Sequence, residues 1–387
     1  MKKAFLSFIF LGLLPFPVLA QSELVRDEQQ VVLAKVVEVV SEEQKNIPGT
    51  DRETVYQTIK AEILEGDMVG RVVEIKDDYL NLKQGDKFYV LHTVDWQDGS
   101  EYFGVQEKYR LPQLLFLVLL FVGLVVVFGR SQGVRGLLSL IGSFVLIIFV
   151  LLPGILKGYS PIFLTIAVSS FIIIFGSYVT HGFNRVTSAA VGGMVSTVLV
   201  TGILAFFAVK ATHLTGYESE EAIYLTFNSG GQIDIVGLLF GGIMIGLLGA
   251  LYDAAIGQAI AVEELSHIAP HVSKKKIYER AMRMGREHIG ALVDTLAIAY
   301  VGTSLPLLLL FYQSASEHYL VTINREIFAT EIVRTMVGSI GLIFTVPITT
   351  IVAVAMLKKD NNQNVDPQKI KEEEGKIEKI SGHLHSH

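Results

Sequence analysis

Seven apolar stretches constrain this chain more than any other feature of its sequence. A membrane-spanning helix needs about 20 consecutive, mostly apolar residues, because the hydrocarbon layer is about 30 Å thick. Of the 387 residues, 51% are hydrophobic and 18% are charged, which is typical of a membrane protein with small soluble parts. The predicted spans are residues 111–129, 136–156, 161–179, 188–210, 234–258, 288–312 and 332–357.

Residues 1–20 are predicted to be a secretory signal peptide. Lys2 and Lys3 precede an apolar core, and Ala20 ends a short run of small and apolar residues, as in a cleaved export signal. An uncleaved signal anchor is the alternative. Either would place the following segment outside the membrane.

Residues 21–109 are predicted to form a small extracytoplasmic all-β domain. Short alternating or β-branched runs are separated by turn residues such as Pro48-Gly49. Five or six short strands at this spacing favour an OB-like barrel or a sandwich. The domain shows no catalytic constellation, and His92 is interpreted as an ordinary residue near a strand end.

The distribution of Lys and Arg predicts the orientation, because cytoplasmic loops carry an excess of positive charge. With the β domain outside, the inside loops hold the basic residues and a cytoplasmic amphipathic helix is predicted at 265–287, with Ser273 as a cap. The charged tail, 358–387, then lies in the cytoplasm. The residues on the inside faces are Arg130, Arg135, His181, Arg185, Lys274, Lys275, Lys276, Arg280, Arg283, Arg286, Lys358 and Lys359.

Composition excludes several partners and cofactors. The chain has no Cys, so disulfides and cysteine zinc sites are excluded. Topology explains the basic cluster, so nucleic acid is not an expected partner, and there is no nucleotide-binding loop. We expect no cofactor. The terminal residues His383, His385 and His387 alternate; such a tract can bind a metal weakly but is usually incidental, so no metal site is predicted.

Two carboxylates lie inside the predicted spans, Asp253 and Asp294. A charged side chain within a bilayer costs roughly 2.5–3.5 kcal/mol on insertion scales, which makes each a functional-site hypothesis. At 1.5 Å per residue, Asp253 lies about 27 Å along its span and Asp294 about 9 Å into the next one. Both are therefore expected at similar depth near one face of the membrane.

The neighbours of Asp253 leave two interpretations open. Gly249 and Gly257 lie four residues to either side, which predicts a small-residue face around the carboxylate, and Gln258 would be a neighbour. Asp253 either exchanges a proton or binds an ion, or it is a structural residue hydrogen-bonded across this face. Function and packing are likewise both open for Asp294.

Five further residues are candidates for structural or coupling roles. Glu264 lies at the cytoplasmic end of the Asp253 span, and Arg286 precedes the Asp294 span as an interface anchor. Thr295 follows Asp294, and hydroxyls in membrane helices commonly bond to the carbonyl four residues earlier. In the last span, Glu331 and Arg334 are three residues apart. They are expected to form an ion pair where this span reaches the extracytoplasmic face of the membrane.

Four segments resemble the YibE/F family of bacterial multi-spanning membrane proteins. They are the signal-plus-β start, THGFNRVTSAAVGG (180–193), the stretch from GLLGALYDAAIGQAIAVEEL to GTSLPLLL (246–310), and EIVRTMVGSIGLIFTVPITT (331–350). The resemblance implies a multi-pass protein of the bacterial cell membrane. The resemblance implies an amide side chain more often than a carboxylic acid at the position before Thr295. Asp294 is therefore a weaker site candidate than Asp253. The positions that the resemblance carries over are Gly249, Asp253, Glu264, Gly285, Arg286, Thr295, Gly302, Glu331, Arg334 and Gly338.

The order of elements is also similar, more distantly, to the membrane repeats of SecDF and RND permeases. That likeness implies proton coupling through an intramembrane carboxylate, and pairing as a homo- or hetero-dimer. The extracytoplasmic domain is placed differently here and the first two spans are extra. Likeness of fold does not establish function.

Three functions follow as hypotheses. The leading one is a transporter, ion-coupled permease or export-assisting protein that uses Asp253, with the lipid bilayer as its setting and no named substrate. The second is a scaffold or sensor that presents the β domain to a partner. The third is an intramembrane aspartyl protease, but Ala291-Leu292-Val293-Asp294 departs from the Gly-x-Gly-Asp motif of that class.

Overall fold

The computed structural model describes residues 28–46, 53–77, 80–96, 98–314, 319–358, 368 and 371–376. It divides between Val127 and Phe128 into two compact units. The predicted signal peptide and His383, His385 and His387 lie outside the described residues.

The N-terminal unit holds five strands, β1 (Glu28–Asn46), β2 (Glu53–Ile63), β3 (Val72–Asp77), β4 (Lys87–Val94) and β5 (Glu101–Lys108). They form one antiparallel sheet in the order β3-β2-β1-β4-β5. The long strand β1 pairs with β4 along its first half and with β2 along its second, with irregularities near Val36 and Val39 that increase bending. Arg71, beside β3, forms an ion pair of 2.7 Å with Glu101 of β5, and the sheet is therefore a half-barrel.

Alternating apolar residues fill the concave side of the half-barrel, among them Val32, Ile59 and Phe88. Gln57 is fully buried, and its amide is bonded to both backbone groups of Leu82 (2.7 and 3.1 Å). Its bonds attach the β3–β4 connection to the sheet. His92 is 8% exposed and stacks on Phe103 at 4.7 Å, so the histidine is a buried part of the sheet.

The remaining described chain is helical. The bounds are α1 (Leu111–Leu156, with a π-helical turn at Ile147–Leu151), α2 (Pro161–His181), α3 (Arg185–Ala211), α4 (Glu220–Asn228), α5 (Ile235–Gly246), α6 (Leu248–Ile268), α7 (Lys274–Thr303), α8 (Leu305–Ser314), α9 (Tyr319–Ile323) and α10 (Glu326–Leu357).

Within the described residues, five helices are long and apolar enough to span a membrane. They are α1, α2, α3, the continuous pair α5–α6, and α10. A sixth is formed if α7 and α8, bent by 71° at Ser304, count as one broken span. The first two predicted spans lie in α1, whose 46 residues are interrupted at Arg130 (φ 47°, ψ −135°). A straight helix of that length would extend about 69 Å, more than twice the hydrocarbon thickness.

The loop predicted to hold a separate amphipathic helix has a different form. Helix α6 continues to Ile268, and α7 runs without a break from Lys274 to Thr303. The basic segment and the first part of the sixth predicted span are thus one helix. Ser273 caps α7, as predicted, because its hydroxyl accepts from the N–H of Lys276 at 3.4 Å.

Helices α3 and α10 pack closely through small residues. A Cβ placed on Gly193 would lie 2.7 Å from the Cα of Thr349, and a Cβ on Gly341 would lie 2.6 Å from the hydroxyl of Thr201. Thr197 and Thr345 bond their hydroxyls to the carbonyls four residues earlier at 2.9 and 3.0 Å. Small side chains and locally satisfied hydroxyls therefore let the two backbones approach each other.

Hydrogen bonds join the helix ends to neighbouring loops at both ends of the helical unit. At one end, Glu326 accepts from the N–H groups of Thr215 and Gly216 at 2.5 and 2.8 Å. At the other, the buried Lys358 ammonium donates to the carbonyls of Ala269 and Pro270 at 2.8 and 2.7 Å. We call these the Glu326 end and the Arg185 end, since α3 begins with Arg185 beside Lys358.

A helical turn of the C-terminal tail, residues 371–376, lies against the loop at the Arg185 end. Glu373 accepts from the backbone N–H of His271 at 2.9 Å and contacts its Nδ1 at 2.7 Å, and Glu374 pairs with Lys276. Burial opposes ionisation, but the hydrogen bonds with His271 hold the pKa of Glu373 below its ordinary value. The ionised carboxylate therefore favours this tail contact.

Gly193→Ala should lower the free energy of unfolding by about 1–3 kcal/mol, because the added methyl group must push α3 away from α10. Thermal unfolding of the purified protein in detergent measures the change. Gly290→Ala is the matched control: it is also helical, and a Cβ there meets nothing within 4 Å, so Ala should be neutral or stabilising. Equal unfolding temperatures for the two variants would contradict the packing described for Gly193.

Candidate functional site

The candidate site lies on α6, whose two sides differ. One side is buried in the helical core, with Leu251, Ala255 and Ala259 fully buried. The other side carries Asp253, which is exposed on the surface of the described chain. Helical geometry separates these sides, because residues four apart share a face and residues two apart do not.

Gly249 and Gly257 share the exposed side with Asp253, as their spacing predicted. A Cβ added to either glycine would meet nothing within 4 Å, so no part of the described chain packs on this stripe. No hydrogen bond or ion pair reaches the Asp253 carboxylate from the described residues. The stripe of Gly249, Asp253 and Gly257 is therefore an open, carboxylate-bearing face of an apolar helix.

Asp294 lies on α7, in the stretch of that helix that packs against α6. Leu292, Val293 and Leu296 of α7 join Ala250 and Ala254 of α6 in one apolar cluster. Asp294 is also exposed, and no hydrogen bond joins it to Asp253 among the described residues. A protease dyad needs two carboxyl groups that share one proton, and this arrangement does not favour one.

Gln258 belongs to the buried side of α6. It is 5% exposed, and its amide donates to the carbonyl of Ala281 at 2.9 Å and to the hydroxyl of Thr350 at 2.7 Å. Gly285 makes room for it, since a Cβ there would lie 2.7 Å from the Gln258 oxygen. Gln258 therefore joins α6, α7 and α10, and the structure does not bring it together with Asp253.

A groove of about 400 Å³ lies beside the Asp253 stripe. Gly249 and Tyr252 of α6 line one side, and α1 and α2 line the other. The rings of Tyr252 and His181 stack at 5.9 Å, and the buried Tyr252 hydroxyl lies beside the hydroxyls of Ser177 and Thr180. Most of the lining is apolar, with hydroxyl groups from Ser139, Ser143, Thr180 and Tyr252.

The predicted pair of Glu331 and Arg334 forms near the Glu326 end. Arg334 donates to Glu331, and the other Glu331 oxygen accepts from Ser304 at 3.0 Å. Ser304 is the residue at which α7 and α8 bend, so the ion pair also braces the broken helix. The pair is structural in this arrangement, as the ordinary interpretation of its spacing predicted.

Glu218, which sequence reasoning left unmarked within an acidic loop, lies near this pair. One of its carboxylate oxygens is buried without a hydrogen-bond partner in the described chain. Burial raises the pKa of Glu218, Arg334 acts in the opposite direction, and Glu326 and Glu331 reinforce the rise. The sequence of this segment, Tyr217–Glu221, shows only a cluster of acidic residues. Such a cluster usually indicates a solvated loop, so it did not mark Glu218 as a buried residue.

The other predicted residues stand apart from Asp253. Glu264 and Arg286 are both exposed near the Arg185 end. Thr295 bonds its hydroxyl to the Ala291 carbonyl at 2.8 Å. No group of three His, Cys, Asp or Glu residues suited to a metal ion occurs within the described residues.

Comparison with known proteins shows the family. The family model of the YibE/F-like proteins matches residues 117–359, which is well over half of the chain. This chain therefore belongs to the YibE/F-like family. No curated protein and no solved structure matches it. The match covers the whole region that positions Asp253, and it leaves out the β half-barrel.

Gln258→Ala should destabilise the helical unit while Asp253→Asn leaves it unchanged. The first substitution removes both amide bonds and leaves a cavity between three helices, a loss of about 2–4 kcal/mol. The second alters an open face. Thermal unfolding of both purified variants measures the two changes in stability. A lower unfolding temperature for Asp253→Asn together with an unchanged one for Gln258→Ala would contradict the assignment of Gln258 to the core and of Asp253 to an open face.

Proposed function

We propose that this YibE/F-like protein is an ion-coupled permease or export-assisting transporter, with the Asp253 carboxyl group as the site of proton or cation exchange. The observation that carries the proposal is the open stripe on α6, where a carboxylate without a partner in the described chain lies on an apolar helix long enough to span a membrane. The transported species stays unassigned.

The physical argument concerns the cost of that position. An ionised carboxylate facing hydrocarbon costs several kcal/mol unless it takes up a proton, binds a cation or meets a partner group. Each of these events neutralises the carboxylate, so the charge at Asp253 changes whenever a proton, a cation or a partner group binds there. A residue of this kind couples ion binding to the packing of the helix that bears it.

The groove beside Asp253 supports transport over a purely structural role. It lies between helices, it is mostly apolar, and its few polar groups are hydroxyls, which is the usual composition of a small-molecule site. Because Gly249 belongs to both the groove and the stripe, a change in the charge of Asp253 acts next to whatever occupies the groove.

The proposed topology has seven spans, a cleaved signal peptide at 1–20, the β domain outside and the tail in the cytoplasm. Two features support it. The break at Arg130 falls between the first two predicted spans, and basic residues gather at the Arg185 end, as they do on the inner side of membrane proteins. We also propose an OB-like barrel for the β domain, on the strand order and the approach of Arg71 to Glu101.

A scaffold or sensor is the second candidate, and the β unit favours it. The half-barrel has its own apolar core and its own contacts. It also exposes Val31, Val37, Val40 and Tyr102, each at least 41% accessible, which is a surface suited to a protein partner. If residues 21–109 on an unrelated single span restored the phenotype, this function would replace transport. Pairing with a second membrane protein stays a prediction.

Asp253→Asn should abolish complementation in a host that lacks the gene, while Asp253→Glu retains it, because only the second keeps an ionisable group. Membrane levels checked by immunoblot should be equal. Asp294→Asn is the matched control, since it removes the same charge at the same depth and should retain activity. Full activity of Asp253→Asn would contradict the proposal.

A further inference from the structure

A second pocket, of about 340 Å³, opens at the Arg185 end. It is built where three helices reach the same level: α3 begins there, and α6 and α10 end there. We call it the Arg185 pocket. Its lining residues are Arg185, Glu263, Ser266, His267, Pro270, Leu357 and Lys358.

The two positively charged side chains of this pocket, Lys358 and Arg185, differ in their contacts. Lys358 is 5% exposed and fixed by the carbonyls of Ala269 and Pro270, so its charge cannot move away from the pocket wall. Arg185 is exposed and has no ion pair within the described residues. It is also the first residue of α3, an end at which a helix dipole favours an anion and disfavours a cation. An anion beside Arg185 would satisfy both the guanidinium and the helix.

Ser266 supplies an independent sign of a ligand. It is 8% exposed and lines the pocket, yet its hydroxyl has no hydrogen-bond partner in the described chain. Thr197, Thr345 and Thr350 bond their hydroxyls to the carbonyl four residues earlier. Ser266 is one of several buried hydroxyl residues of the described chain without such a bond, and among them it is the one that lines this pocket. A buried donor without a partner is costly, and an oxyanion in the pocket would accept from it.

Charge and position then select the class of anion. Arg185 and Lys358 are positive and Glu263 is negative, so the charges of these three lining residues sum to one positive charge. Glu373, which also acts on Lys358, is held by His271 and does not line the pocket. A phosphodiester carries one negative charge, whereas a free phosphate monoester carries about 1.5 to 2. The ends of membrane-spanning helices also lie at the level of lipid headgroups.

We propose that the Arg185 pocket binds the phosphodiester of an anionic phospholipid headgroup. Arg185 provides the ion pair, Ser266 donates a hydrogen bond and Lys358 provides a fixed positive charge. The bound lipid joins the ends of α3, α6 and α10. The proposal is independent of transport and of Asp253.

Native mass spectrometry of the full chain in detergent, titrated with phosphatidylglycerol or phosphatidylcholine, tests the proposal. Phosphatidylglycerol should stay bound preferentially, and Arg185→Gln should weaken it about tenfold, the usual loss for a charge-assisted bond. Ser266→Ala should weaken it a few-fold. Arg283→Gln removes an exposed charge outside the pocket and should change binding less than twofold.

Two results would overturn the assignment. Equal retention of both lipids would show that the protein does not select an anionic headgroup. Equal losses for Arg185→Gln and Arg283→Gln would show attraction to the basic surface without a defined pocket. Displacement of phosphatidylglycerol by millimolar inorganic phosphate would show that the pocket takes soluble phosphate, and the lipid assignment would fail.

Discussion

The close contact of α3 with α10 is the constraint on which the helical unit depends. In a membrane the hydrophobic effect does not drive helices together, so van der Waals packing and hydrogen bonds must do so. Gly193 and Gly341 allow that packing because each faces a threonine at a distance that no side chain would fit. The other helices are arranged around this pair, and the buried amide of Gln258 attaches α6 and α7 to it.

This arrangement explains why Asp253 is open. Once α6 turns Leu251, Ala255 and Gln258 towards the core, helical geometry leaves Gly249, Asp253 and Gly257 on the opposite side. The same helix therefore has a buried side that packs in the core and an open side that carries the Asp253 carboxylate. The groove next to Gly249 lies between these two sides, so the proposed exchange at Asp253 needs no disruption of the α3–α10 contact.

Hydropathy predicted most of the long apolar helices, since length and composition decide them. It did not predict that residues 274–303 form one helix, because a basic amphipathic segment followed by an apolar one was interpreted as two separate helices, 265–287 and 288–312. Pro306 was an available signal for the bend at Ser304, because a proline has no N–H to donate to the carbonyl four residues earlier, that of Gly302, and its ring clashes with that carbonyl. The spacing of Gly249, Asp253 and Gly257 correctly predicted a shared face.

Gln258 shows where pattern reasoning needed geometry. Five residues at 3.6 per turn rotate a side chain by about 140° from its starting direction, so Gln258 and Asp253 belong to different sides although they are about one turn apart. Ser266 and Glu218 belong to no motif that identifies a site, and only the tertiary structure shows that a polar atom of each is buried without a partner in the described chain.

The central claim is the proposed ion exchange at the Asp253 carboxyl group, and its proton form requires that this group is protonated within the apolar layer. Carbodiimide modification tests it directly, because the reagent reacts with protonated carboxyl groups in apolar surroundings and peptide mass spectrometry locates the product. The account predicts that Asp253 is modified at neutral pH, less so as the pH rises, and that the water-exposed Glu264 is not. An unmodified Asp253 beside a modified Glu264 would contradict it.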